Sequence, residues 1–460
     1  MTEQFEDQGG AATMDPGPLM RWLTSRVVKR VCGAANVAKR RKTVEKDRVK
    51  SGLGHVVEYF HYVEDGYSHL ASQVLQAFSE RYDIELICHL VRGPQGKNSA
   101  EPDLLLRLSR YDSFHVAPGY GLNFPQHEDP PAPSLVKLAT SILAAQESAD
   151  FIECAAHVGD ALWTGDEARM RSLADSLGCA SDDQLEKKLE AGTARRSELK
   201  HYSGAMFYYG KEWYWGVDRL YHLEKRLAEL GADREQGHPM VMPRPPMEYG
   251  ELKDNGSLTL EIYPSLRSPY TSIAFDRAVK LAQETGVKLV AKPVLPMVMR
   301  GVPATREKGL YIFSDTMREA SEAGVAYGNF YDPIGEPVRR CYSLYPWACA
   351  QDKGVQLLSS FLKAAFVDGV NTNNNRGLKK VVENAGLNWA EAKEHIGTTG
   401  WEEQLEGNRL TMYDAGLWGV PSFRLLDEKG DAILSLWGQD RLWLFSREIQ
   451  RQLAKRSPTG

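Results

Sequence analysis

Apolar positions along the chain follow two rhythms in a fixed order, and that order occurs twice. In the later half Leu258, Leu260 and Ile262 alternate with polar neighbours and predict a strand over 258–262. Ile273, Phe275, Ala278, Val279 and Ala282 then recur at helical spacing and predict a helix over 270–285, before another apolar run predicts a strand over 287–293. Strand, helix and strand make a βαβ unit, whose parallel strands require a right-handed crossover. A long helical stretch follows, through "SDTMREASEAG", "WACAQDKGVQLLSSFLKAAFVDG", "NNRGLKKVVENAG" and "WEEQLEGNRLTMYDAG". "PSFRLLDEKGDAILSLWG" closes the pattern as a hairpin turning at residues 428–431, with a last helix from Arg441.

The same pattern runs upstream. From Val56 to Val91 the chain aligns with its later half without a gap, at an offset of 203 residues that sets Glu58 on Glu261, Tyr67 on Tyr270 and Leu86 on Leu289. "WYWGVDRLYHLEKRL" around Trp215 matches "LSLWGQDRLWLFSREI" around Trp437 at an offset of 222, so the later copy carries about 19 more residues between the anchors. Two tandem copies of one domain are the economical reading. The expected organisation is a disordered start with a basic amphipathic segment over 1–50, a first domain over 51–236, a Pro-rich linker over 237–256 and a second domain over 257–456.

In the basic segment Leu19, Trp22, Leu23, Val27 and Val31 recur at helical spacing. Such a helix docks on its own domain or lies on a membrane surface, here through residues 19–50; a nucleic-acid partner is not expected. Glu3, Glu6, Asp7 and Asp15 do not fit a cleaved targeting signal. With 460 residues, 42% hydrophobic, 25% charged and a net charge of -5, the rest reads as an ordinary soluble globular protein. No apolar run approaches the roughly 18 to 20 residues that cross a bilayer. Cys32, Cys88, Cys154, Cys179, Cys341 and Cys349 are scattered and form no C-x-x-C pair, which argues against a disulfide framework and against a zinc site. A reducing, cytoplasmic location is the expectation.

Candidate chemistry sits where the second copy's first strand meets its helix, in "SLRSPYTSIAFD". Proline suits the first helical turn, and Ser268 before it suits a cap. A hydroxyl there also stands in the positive field of a helix N-terminus, which stabilises a thiolate or carboxylate brought against it.

"SPY" at 268–270, "KGLY" at 308–311, "GVPSF" at 419–423 and "WGQDRL" at 437–442 follow one another in the order and spacing of a known family. The chain resembles the DsbA-like branch that holds 2-hydroxychromene-2-carboxylate isomerases and kappa-class glutathione transferases. The resemblance covers 257–456 and is weaker over 55–230, where the opening strands and "WGVDRL" remain. It implies an α/β fold of two tandem thioredoxin-like domains, each with an all-helical insertion. Ser268 takes the place of the first cysteine of the redox members, so thiol-disulfide exchange through this position is excluded. In this family it would instead hydrogen-bond the thiolate of glutathione, the implied cofactor. The resemblance further implies a cis Pro421, a Val420 backbone that pairs with glutathione, an Asp440 that takes the γ-glutamyl ammonium with Gln439 beside it, and a Lys308 that neutralises a carboxylate. "PMVMRGVPATRE" lacks the asparagine that the family uses upstream of that lysine.

The implied activity is glutathione-dependent isomerisation or transfer on an electrophilic, aromatic small molecule. Tyr327, Phe330, Tyr331, Tyr342, Tyr345 and Trp347 suit the walls of its pocket. The first copy departs: Asp65 and Gly66 replace Ser268 and Pro269, Ala205 replaces Pro421, no lysine aligns with Lys308, and Asp218 alone is retained. It reads as a degenerate domain kept for packing or partner contact. Two other readings stand beside this one, a DsbA-family thiol-disulfide oxidoreductase and a non-catalytic adaptor of lapsed thioredoxin-like domains.

Overall fold

A computed structural model describes residues 15–126, 129–302 and 305–456; most of the expected N-terminal disorder lies outside the described residues. The chain divides into two compact units, one of residues 38–245 and one that joins residues up to Val37 to those from Pro246 onward. The basic segment is therefore not one piece. Pro18–Cys32 belongs to the second unit, and most of the helix Ala34–Lys50 to the first.

In the first unit β1 (Val56–His61), β2 (Glu85–Leu90), β3 (Met206–Tyr209) and β4 (Glu212–Trp215) form one sheet in the order β2-β1-β3-β4. In the second, β5 (Thr259–Tyr263), β6 (Lys288–Ala291), β7 (Ser422–Leu426) and β8 (Ala432–Trp437) repeat it as β6-β5-β7-β8. The registers coincide residue by residue. Glu58 faces Ile87 across the first parallel pair and Glu261 faces Val290 across the second, both at the offset of 203 read from the sequence. The offset becomes 216 at Phe207 and Phe423, and 222 at Trp215 and Trp437. The extra residues therefore fall partly in the helical insertion and partly in the β7–β8 hairpin. In the first unit that hairpin turns on Gly210 and Lys211, both at positive φ, as a two-residue turn demands.

Each sheet is crossed by helices inserted between its second and third strands. They are Pro102–Val116 to Asp182–Glu198 in the first unit and Arg306–Glu322 to Trp401–Asp414 in the second. One bond ties the insertion to the opening helix in both units. Tyr67 donates to Asp112 at 2.7 Å, and Tyr270 donates to Asp315 at 2.7 Å, again 203 residues apart. Asp315 is fully buried and also receives Arg318 at 2.9 Å.

The Pro-rich linker is fastened at both ends. Glu224 accepts from the backbone N–H groups of Val241 and Met242, while Gln450 donates to the carbonyls of Tyr249 and Leu252. The N-terminal helix docks by a polar side: Arg21, 1% exposed, donates to the carbonyls of Asp332 and Ile334 at 2.7 and 2.6 Å, and Ser25 accepts from the N–H of Asp332.

Tyr270→Phe should lower the stability of the second unit by about 1.5–3 kcal/mol, because a hydrogen bond to a buried carboxylate is lost. Urea unfolding of the full chain reads this directly, and an unchanged midpoint would deny that this hydroxyl fastens the insertion.

Candidate functional site

Ser268 has an extended backbone one residue ahead of the 17-residue helix Pro269–Thr285, and its Oγ accepts from the N–H of Thr271 at 3.2 Å. It is thus the helix cap that local chemistry demands. The same hydroxyl donates to the carbonyl of Val420 at 3.2 Å, 152 residues away in sequence. The Val420–Pro421 bond is cis, as the resemblance implied. The carbonyl of Pro421 in turn accepts from the N–H of Gly438 at 3.0 Å, which ties the "WGQDRL" turn to the same loop. Lys308 reaches the loop from a third side. It lies in the first turn of the helix Arg306–Glu322, whose cap Thr305 accepts from its N–H, and its ammonium stands 5.6 Å from the ring centre of Trp418. Burial pushes the Lys308 pKa down, and a carboxylate brought against it would push it back up.

Two residues that sequence reasoning passed over shape this loop. Trp418 is buried, packs on Trp437 at 5.1 Å and leaves its Nε1 without a hydrogen-bond partner among the described residues. Arg300, also buried, donates to the carbonyls of Leu295 and Trp418 and to the hydroxyl of Tyr413. The Trp-Gly sequence just before Val420 was the available signal. A Cβ at Gly419 would lie 2.3 Å from the Trp437 ring, so only glycine lets the loop pass.

Two sets of expected site residues lie inside the protein. Gln439 is 1% exposed and its amide is committed inward, donating to Glu319 at 2.5 Å and accepting from Arg277 at 3.1 Å. Both ends of its amide are thus engaged within the protein, and the side chain does not face solvent. Phe330, Tyr342 and Tyr345 are buried in the hydrophobic core, with Tyr327 and Trp347 packed against it, so these five aromatics hold the insertion together, while Tyr331 is partly exposed. Asp440, by contrast, is partly exposed, with its carboxylate 3.6 Å from Arg441.

In the first unit Asp65 occupies the position of Ser268. It caps the helix Gly66–Ser72, which is only seven residues long, by accepting from the N–H of Tyr67, and it also accepts from the hydroxyl of Ser68. Burial raises its pKa to about 6. Gly66, in the place of Pro269, is closed over: a Cβ there would lie 2.7 Å from Ser113 Oγ. Ala205, in the place of Pro421, has φ +53, and Asp218 accepts from Tyr120 at 2.7 Å. The central-strand carboxylates are neutralised in both units by different partners. Burial works against the charge of Glu58, but Arg195 and His89 bring its pKa down to about 2; Glu261 is met by Lys292, Arg424 and the hydroxyl of Tyr263.

All six cysteines are free; burial raises the pKa of Cys88, Cys341 and Cys349, and brings Cys154 to about 11. Among the described residues no group of side chains is set to hold a metal ion, and no helix is long and apolar enough to cross a membrane.

Residues 259–450 match the family model of the DSBA-like thioredoxin domain. No curated protein matches the chain. Among solved structures, a 2-hydroxychromene-2-carboxylate isomerase is 18% identical, over 44% of this chain and 99% of its own, at a TM-score of 0.38. A probable DsbA oxidoreductase from Streptomyces coelicolor is 18% identical, over 44% and 93%, at 0.34. The cytosolic disulfide reductase DsbM from Pseudomonas aeruginosa, solved with GSH, is 15% identical, over 43% and 98%, at 0.33.

The state of Asp65 gives a pH-dependent prediction. A carboxyl whose pKa is raised by folding, here to about 6, binds its proton more tightly in the folded state, so its presence favours folding at low pH and costs stability as pH rises through about 6. Asp65→Asn removes the charge while its amide oxygen still accepts from the N–H of Tyr67 and its NH2 turns to donate to the Ser68 hydroxyl. The variant should match wild type near pH 4 and exceed it by up to about 3 kcal/mol at pH 8, in denaturant unfolding of the full chain. A difference independent of pH would contradict this.

Proposed function

We propose that the second unit binds glutathione as its thiolate and uses it on an electrophilic, aromatic small molecule, as an isomerase or a transferase. The observation that carries this reading is the Ser268 hydroxyl, set at the start of a long helix and within 3.2 Å of the Val420 backbone, with no sulfur at its position. An extended tripeptide laid along Val420 would bring its cysteine sulfur to this hydroxyl. Ser268 would then donate to the thiolate instead of to the Val420 carbonyl, while the helix N-terminus adds its partial positive charge. Lys308 suits a carboxylate of the tripeptide, and Asp440 suits its ammonium.

In the reaction the thiolate adds to an unsaturated carbon, forming a C–S bond while the displaced π electrons move onto the substrate's conjugated acceptor. The former double bond is then free to rotate. Return of those electrons expels the thiolate and gives the isomer; protonation of the adduct instead gives the conjugate. Dependence on reduced glutathione fits a reducing compartment such as the cytoplasm.

Calorimetry on the full chain should show one glutathione site. Asp440→Ala and Lys308→Ala should each weaken it by roughly ten- to a hundredfold, since each deletes a charge-assisted hydrogen bond. Asp218→Ala should leave it unchanged. No heat of binding, or loss of binding through Asp218 alone, would overturn the assignment to the second unit.

Ser268→Ala should leave affinity largely intact, because the tripeptide's charged ends bind elsewhere. A hydrogen bond to a charged group is worth about 1.5–3 kcal/mol, so the pKa of the bound thiol should rise by roughly one to two units. Thiolate absorbance against pH measures it, and an unchanged curve would leave Ser268 a helix cap and nothing more.

A further inference from the structure

The helix Pro18–Cys32 is amphipathic in the reverse of the usual sense. The side that meets the second unit includes Arg21 at 1% and Ser25 and Cys32 at 2% exposure. The opposite side leaves Leu19 at 70%, Met20 at 59%, Trp22 at 43%, Leu23 at 43% and Val27 at 53%. At 100° per residue, Leu19, Met20, Leu23 and Val27 fall within one face about 100° wide; Arg30 continues that face beyond Val27, and Arg26 falls between it and Trp22. Large apolar side chains gathered on one exposed strip are unusual for a surface that faces only water.

Charge identifies what would cover it. Arg26 and Arg30 are exposed on the same side, Arg26 with its guanidinium 4.8 Å from the Trp22 ring centre. Lys29 is partly exposed at the edge. The one acidic side chain described just ahead of the helix, Asp15, is already paired with Arg21 at 2.7 Å. The helix itself carries Arg21, Arg26, Lys29 and Arg30 and no acidic residue, although the net charge of the chain is -5. A second copy of this strip brings the same Arg26 and Arg30 and no carboxylate on the helix to answer them, so it offers no charge complement, whereas an anionic surface does.

We propose that this helix lies on an anionic phospholipid bilayer. Leu19, Met20, Leu23 and Val27 enter the boundary between headgroups and acyl chains, Trp22 sits at headgroup level, and Arg26 beside the strip and Arg30 at its C-terminal end extend their stems along it to reach lipid phosphates. Arg21, held by the carbonyls of Asp332 and Ile334, fixes which side of the helix faces outward. The association is peripheral and reversible, and it holds the second unit against the membrane.

Co-sedimentation of the full chain with vesicles of phosphatidylcholine and phosphatidylserine in equal parts tests this, with phosphatidylcholine vesicles as the control. The chain should partition onto the mixed vesicles and much less onto the control. The double variant Leu23→Gln, Val27→Gln should bind about tenfold less or weaker still, since two apolar side chains no longer leave water. Both positions are exposed, so its thermal melt should match wild type. Arg26→Gln with Arg30→Gln, or molar salt, should also weaken binding. The proposal is overturned by no partition onto mixed vesicles, or by equal partition of wild type and the Leu23, Val27 variant. It is overturned also if wild type sediments alone as a dimer that this variant dissolves, which would give the strip to a second copy.

Discussion

Two backbone carbonyls, those of Val420 and Pro421, hold the second unit's site in one place. Ser268 donates to the first and Gly438 to the second, so the start of one helix and the turn before another are both fixed to a single extended loop. A buried carbonyl is costly to leave unpaired, and each of these takes its donor from a distant element. Lys308 against Trp418 adds a third attachment on the residue that begins the loop's approach. The loop then has little freedom to shift relative to the helix start, which is the condition for presenting a hydroxyl and an extended backbone to the same ligand.

The two units show how one framework carries different chemistry. Their sheets share order and register, and each buries a glutamate on the central strand and a tyrosine–aspartate bond to the insertion. These are packing requirements of the framework and persist. What differs is concentrated at the helix start. In the first unit a buried aspartate with pKa about 6 stands where the second has a partly exposed serine, and Ser113 closes the space above Gly66. The opening helix there also breaks at Gln73 and Val74 into two short pieces, whereas Pro269–Thr285 runs unbroken. A shorter helix offers less aligned dipole to an anion, so loss of the serine and loss of the field coincide.

By itself, the sequence determined the order of strands and helices, its recurrence in both halves and the cap at Ser268. Each of these is written in neighbouring residues: periods of two and about 3.6, a constant offset, a serine before a proline. The motifs of the resemblance implied a shared role for Val420, Pro421 and Asp440. Tertiary structure alone decided which of these side chains stay available. Gln439 is drawn inward because Glu319 and Arg277, each more than a hundred residues away, need its amide, and the insertion's aromatics are spent on the core because seven packed helices must be filled. The basic N-terminal segment shows the same division. Its periodicity declared a helix, but which side faces out was settled by two carbonyls more than three hundred residues downstream that accept Arg21. Local pattern specifies backbone conformation, because that is decided within a few residues; burial and partner choice depend on contacts that form only when distant segments meet, and no local pattern encodes them.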